Sequence, residues 1–351
     1  MYSSAAVAVA VLAACLCGAP VAVTARNAEP LNDRPIIGVL AQENLPDDKF
    51  ARGSSYIAAC YVKYLESSGA RVVPIRINLS DEDYFRIFNS INGLLLPGGD
   101  VDLQTSQFSR VSKIFYNLAL KANDDGDHFP IWGTCQGFQQ LSVLTANKNL
   151  LTLTNTKAVA LPLTFTRGIT HLPSPLLQVS PTYPHLYYRY HPPTLSFTTA
   201  AQTSRLFQSF PVDLMQSLAE ENITSNFHSW SLSLQNFSRN TKLKRFYKIL
   251  STNTDGKTDF VSTMEALQYP FYAVQWHPEK SPFEWVDKPG MVHLGSAVRA
   301  SFYTASFFIS EAMKNFHHFP SPAEEDKALI YNFSPEYKGP GAIFVQNYYF
   351  N

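Results

Sequence analysis

Two short stretches carry residue types that together could perform nucleophilic acyl chemistry. The first is Gly133-Thr134-Cys135-Gln136-Gly137, preceded by the apolar run Phe129-Pro130-Ile131-Trp132 and followed by a helix-compatible segment from Gln139 to Ala146. Strand, tight turn and helix in that order put a thiol at the apex of a nucleophile elbow, where flanking glycines let the backbone turn sharply. The helix start adds partial positive charge beneath the sulfur and favours thiolate over thiol. A buried cysteine beside an ordinary turn has the same local pattern, so a general base elsewhere in the chain has to decide between the two.

His277-Pro278-Glu279 supplies that base. Proline restricts the residue before it to extended geometry, and in an extended segment positions two apart share a face. The expectation is an imidazole and a carboxylate side by side. The carboxylate would fix the imidazole tautomer and stabilise the imidazolium, making the histidine an effective base toward a nearby thiol. The pair follows the apolar run Tyr269 to Trp276, a strand whose C-terminal end would lie at the same sheet edge as the Cys135 turn.

The elements that must position these groups are legible as alternating strands and helices. Pro35 to Ala41, Arg71 to Ile75 and Ile91 to Leu96 are short apolar runs suited to buried parallel strands. Residues 53 to 68 carry Ile57, Tyr61, Tyr64 and Leu65 at helical spacing, with Gly69 as a C-terminal cap and Cys60 at the edge of the packing face. Ser80 with Asp83 resembles a capping box. Ser109 to Ala122 and residues 296 to 314 read as helices, and the aromatic tail to Asn351 reads as surface packing. The third run ends in Pro97-Gly98-Gly99-Asp100, where paired glycines let the backbone approach a ligand and present bare N–H groups. The predicted fold is an α/β three-layer sandwich, with a mostly parallel central sheet flanked by helices.

The 351 residues balance 28 Lys and Arg against 28 Asp and Glu, with no basic run, which disfavours nucleic acid and anionic membranes as partners. Residues 3 to 25 are a charge-free stretch of small apolar residues ending at Val23-Thr24-Ala25, and they read as a secretory signal peptide over residues 1–25. Its removal would take Cys15 and Cys17 and leave Cys60 and Cys135, too few for a disulfide framework. Sequons at Asn78, Asn222, Asn236 and Asn332 then suggest a glycoprotein in the secretory pathway, lysosomal or extracellular, with no membrane association after processing. Residues 26–351 are expected to form a single domain. It is interrupted at about 171–200 by a Pro/Tyr-rich stretch that has neither a helical nor an alternating period. No His/Cys cluster has metal-ligand spacing, and no cofactor is expected.

The elbow together with Gln275-Trp276-His277-Pro278-Glu279 resembles the class I glutamine amidotransferase superfamily, of flavodoxin-like fold. Within it the chain resembles the γ-glutamyl hydrolases, also through Tyr56 to Glu66, Ile91 to Gly99 and Thr252 to Lys257. The resemblance runs from about residue 34 to 350, excluding 171–200. It implies Cys135 as nucleophile, His277 as acid/base and Glu279 as the orienting third member. It further implies substrate-binding roles for His228 and Gln275, folylpoly-γ-glutamate as substrate, and a homodimer. The backbone N–H groups of Gly98 or Gly99 and of Gln136 are the oxyanion-hole candidates. Where the family carries glutamate four residues after the nucleophile, this chain has Gln139, which implies altered substrate handling with the thiol chemistry kept. Two other readings share these residues: a glutaminase supplying ammonia to a synthase, and a secreted glycoprotein that keeps the fold without catalysis.

Overall fold

Strands buried on both faces have no polar side to present, and the uninterrupted apolar runs of this chain become such strands. The computed structural model describes residues 30–44, 48–166 and 200–351. The signal-peptide reading and all but the last residue of the 171–200 stretch lie outside them. Five parallel strands lie in the order Arg71–Ile75, Ile36–Leu40, Gly93–Leu96, Ile131–Thr134 and Phe271–Val274. Asp259–Ala266, Tyr247–Thr254 and Thr164–Phe165 extend the same sheet antiparallel. Residues 31–351 cluster as one unit.

Helices cover both faces of the sheet, as parallel crossovers require. Ala59–Glu66 packs with Gly295–Ala312, pinned by the Tyr64 hydroxyl donating to Thr304 Oγ1 at 3.0 Å. Trp132 and Tyr272 of the sheet meet Phe308 and Phe307 of the latter helix. Asp81–Phe88, Gln107–Asp124 and Gln136–Ala146 form the other layer. Ser80 caps the first of these by accepting from the Asp83 N–H, as its spacing predicts.

Two expectations differ from the structure. The helix read over 53 to 68 is a strand, Ser55–Ala58, followed by the helix Ala59–Glu66. The aromatic tail is also a strand: Gln346–Phe350 pairs antiparallel with Ser55–Ala58, and Phe350 is buried. Each segment finds its backbone partners in the other, across almost the whole chain, and that demand outweighs helical spacing. Of the four sequons, Asn78, Asn222 and Asn332 are exposed. Asn236 is only half-buried, but its amide donates to Leu150 O at 2.8 Å and Thr152 Oγ1 at 3.1 Å. The exposed Asn332 is held in the same way, its amide donating to Asp326 O at 2.7 Å and Leu329 O at 3.0 Å.

Candidate active site

Cys135 sits between the strand Ile131–Thr134 and the helix Gln136–Ala146 with φ 52° and ψ −103°, a backbone region that side chains other than glycine's rarely adopt. Two hydrogen bonds hold it there. Its N–H donates to Val274 O of the neighbouring strand at 2.8 Å, and its carbonyl accepts from Gln139 N–H at 3.0 Å to open the helix. The flanking glycines are required by close approach. A Cβ on Gly137 would lie 2.0 Å from Leu96 O, and one on Gly133 would lie 2.7 Å from the Gly137 carbonyl.

Val274 pairs with Thr134 in parallel register, so the residues beyond both strands emerge at one sheet edge. That register brings His277 to Cys135. The His277 N–H donates to Ser225 O at 2.9 Å, and its Nδ1 lies 2.6 Å from Glu279 Oε1. The local geometry behind that contact is not the extended one expected. Glu279 has φ −67° and ψ −20°, so the chain turns after Pro278 into the short helix Lys280–Phe283, and the turn swings the carboxylate back under the ring.

Burial alone would push the His277 imidazolium down; the Glu279 carboxylate and the Cys135 sulfur together outweigh it and raise its proton affinity above the ordinary histidine value. Burial likewise works to raise Glu279, and the His277 charge overrides it and holds the carboxyl low. Nε2 makes no regular hydrogen bond among the described residues, yet the Cys135 sulfur is near enough to stabilise a proton on the ring. A Cβ placed on Gly98 would lie 2.8 Å from His277 Cε1 and 3.3 Å from Cys135 Cβ, so all three meet at one point.

Gly98 is not a free donor. Its N–H donates to the Tyr61 hydroxyl at 2.8 Å, which corrects its place among the oxyanion-hole candidates. Tyr61 comes from the helix Ala59–Glu66, is buried, and also brings its hydroxyl 3.5 Å from His277 Nδ1. In the sequence it reads as one more aromatic on a core face, with no signal of this role. Gln42 is a second residue missed. Its Nε2 donates to Gln136 Oε1 at 3.0 Å and its amide fills the space where a Gly99 Cβ would be, while Gln136 Nε2 donates to Val101 O at 2.6 Å. The Gly98-Gly99 loop is thereby tied to the elbow. Two backbone donors stay available among the described residues: Gly99 N–H, and Gln136 N–H in the first helical turn, which has no intrahelical acceptor.

These groups open onto a cleft of about 560 Å³, whose lining also includes His228, Gln139 and Trp230. His228 stands on the strand Thr224–Leu232 with Nε2 3.1 Å from Asn226 Oδ1 and Nδ1 2.9 Å from Thr156 Oγ1. Burial first, and the His277 charge second, push its pKa down to about 3, so it faces the cleft as a neutral ring. Gln139 Nε2 donates to Trp230 O at 2.7 Å and lies 3.5 Å from Gln275 Oε1. Gln275 is fully buried and does not line the cleft, which corrects its placement as a substrate contact. Lys157, Lys280 and Lys288, none singled out in the sequence, do line it. A smaller cavity of about 330 Å³, around Asn123, His128 and Arg205, lies at the opposite strand ends and holds no nucleophile.

Known proteins resemble this chain along most of its length. The Peptidase C26 family model matches residues 35–148. The gamma-glutamyl hydrolase of Homo sapiens is 49% identical over 341 residues, covering 97% of each chain. That of Rattus norvegicus is 50% identical over 336 residues, covering 96% of each. Gamma-glutamyl hydrolase B of Dictyostelium discoideum is 36% identical over 92% of this chain and 84% of its own. Among solved structures, the Trypanosoma brucei CTPS glutaminase domain with bound acivicin aligns at TM-score 0.47 and 12% identity over 82% of this chain and 96% of that one, too slight a likeness to carry an argument. Near-half identity along almost the full length is decisive: the chain belongs to the γ-glutamyl hydrolase family.

Proposed function

We propose that this chain is a cysteine-type γ-glutamyl hydrolase acting on folylpoly-γ-glutamates and similar γ-glutamyl conjugates. The observation that carries the mechanism is His277, held by Glu279 at 2.6 Å on Nδ1, with its Cε1 and the Cys135 Cβ both beside Gly98. With the thiol proton on His277 Nε2, the Cys135 sulfur attacks the γ-carbonyl carbon and the carbonyl π pair moves to oxygen. Gly99 and Gln136 N–H groups receive that oxyanion, each worth ~3 kcal/mol in sites of this type. The tetrahedral intermediate collapses, the C–N bond breaks, and Nε2 gives its proton to the departing amine. Water then loses a proton to Nε2 and attacks the thioester, and the C–S bond breaks to release the γ-glutamate. Gln139, beside Trp230 on the lining, replaces a charged side chain with a neutral one and tunes which chains are accepted.

Entry to the secretory pathway through residues 1–25, glycans at Asn78, Asn222 and Asn332, and a homodimer complete the reading. The exposure of those three asparagines supports the glycans. Incubating the purified chain with a folate polyglutamate and, separately, with glutamine tests the activity. Cleavage of the former that is lost in Cys135→Ala, with little glutamine turnover, is the expected result. Turnover of glutamine alone would refute it. N-terminal sequencing of secreted material, glycosidase treatment and sedimentation test the rest.

A further inference from the structure

Lys280 is unusual for its charge. It is only 4% exposed, and its ammonium has neither a hydrogen bond nor an ion pair among the described residues. It sits instead over two rings, 4.2 Å from the Phe344 centroid and 5.3 Å from that of Phe227. A buried ammonium without a counter-charge is costly, and aromatic faces offset only part of that cost. Glu284 accepts from Val345 N–H at 2.8 Å; burial raises the proton affinity of its carboxyl, and the Lys280 charge works against that rise without reaching ion-pair distance. The ammonium therefore lines the cleft with no carboxylate at ion-pair distance among the described residues, Glu279 and Glu284 acting on it only at longer range.

Two exposed lysines, Lys288 and Lys157, add like charge to the same lining. Burial and then the charge of Lys280 work to lower the affinity of Lys288 for its proton, Glu284 works to raise it, and Lys157 adds to the repulsion. Lys157 stands directly opposite Phe227 in the antiparallel pair of Leu151–Leu161 with Thr224–Leu232. It precedes a bulge at Ala158 (φ 66°), and Gly290 packs against that bulge so closely that a Cβ there would lie 2.5 Å from Val159 N. Bulges beside active sites re-aim side chains. Phe227 joins this group to the reaction centre, since its ring meets His277 edge-on at 6.0 Å. Three cations against one carboxylate, Asp100, on the same lining leave it net positive, one ring away from the base, and suit an extended anion.

We propose that Lys280 is a specificity residue that receives the α-carboxylate of the γ-linked residue next to the scissile bond, with Lys157 and Lys288 extending the positive rim along the chain. This rests on the γ-glutamyl hydrolase reading. A γ-linked polyglutamate keeps one free α-carboxylate per residue, so its charges recur at the peptide repeat, whereas free glutamine offers only its single α-carboxylate. The test compares a γ-linked triglutamate with its α-carboxamide analogue. Wild-type enzyme is expected to show a KM lower for the acid by about tenfold, the scale of one charge-assisted contact. Lys280→Met should erase that difference with kcat little changed, and Lys280→Arg should keep it. Rising salt should raise the wild-type KM for the acid and leave the carboxamide's flat, a readout that needs no variant to fold. Equal KM values in wild type, an acid preference that survives Lys280→Met, or a salt-independent KM for the acid would each overturn the assignment. Failure of the wild type to cleave either chain would instead remove the hydrolase reading itself.

Discussion

Glu279→Gln isolates what the orienting carboxylate does, because the change keeps shape and removes charge. Glu279 and His277 are both buried and lie 2.6 Å apart. The protein contains its own comparator: His228 is also buried, lacks a carboxylate, and has its pKa pushed down to about 3. Without the Glu279 charge, burial pulls His277 the same way. A charge-assisted contact of this kind is worth about 1.5–3 kcal/mol. A glutamine amide that donates to Nδ1 also forces the proton onto Nε2, the wrong tautomer for accepting one from sulfur. Together these predict a fall in kcat/KM of about 10²–10⁴-fold. The pH dependence of stability follows with its sign. His277 is raised, so its contribution is full below the ordinary value of 6.5 and is lost as pH climbs through the folded value. Glu279 is lowered, so its contribution is full above 4.5 and is lost as pH falls through the folded value. The pair stabilises the fold most between 4.5 and 6.5, and the deficit of Glu279→Gln should be largest there. The assay is kcat/KM on a γ-glutamyl peptide across pH, with urea unfolding at matched pH values. A variant within about threefold of wild type, with the same pH profile, would refute the role assigned to Glu279.

Three further outcomes follow from the same geometry. Cys135→Gly should be as inactive as Cys135→Ala but more stable by about 1 kcal/mol, since glycine relieves the φ 52° strain; equal melting temperatures would show that the elbow stores none. Tyr61→Phe should strand the buried Gly98 N–H and cost about 1–3 kcal/mol in denaturant unfolding, and an unchanged midpoint would mean that another acceptor replaces the hydroxyl. Gly137→Ala should lose about 3 kcal/mol or more, because its Cβ would meet the Leu96 carbonyl at 2.0 Å and backbone cannot step aside as a side chain can; soluble, active Gly137→Ala protein would contradict that packing.

Much of the scaffold was legible because its signals are local. Continuous apolar runs specify buried strands wherever they occur, and Ser80 with Asp83 caps its helix using only nearby atoms. The elbow was legible for the same reason, since glycine, cysteine and glycine at this spacing constrain one turn. Ser55–Ala58 misled because its partner, Gln346–Phe350, is almost three hundred residues away in the numbering, and no local period encodes a pairing at that distance. Proline beside His277 predicted the contact with Glu279 but by the wrong backbone path, since the turn into Lys280–Phe283 is chosen by what packs around it. Gln275 was two residues from the base, yet it is fully buried beside Gln139 and does not itself line the cleft.

The sequence by itself determined the kinds of groups available for chemistry, a thiol at a turn and an imidazole next to a carboxylate, together with the α/β frame that would bring them to one edge. Only the tertiary structure decided which atoms are free to act. Tyr61 occupies the Gly98 N–H, Gln42 ties the glycine loop to the elbow, and Phe227 and Phe344 hold Lys280 where it has no ion-pair partner among the described residues. Residue type sets what a group can donate or accept. Whether it is already satisfied depends on neighbours that fold in from distant parts of the chain, and that is a property of packing.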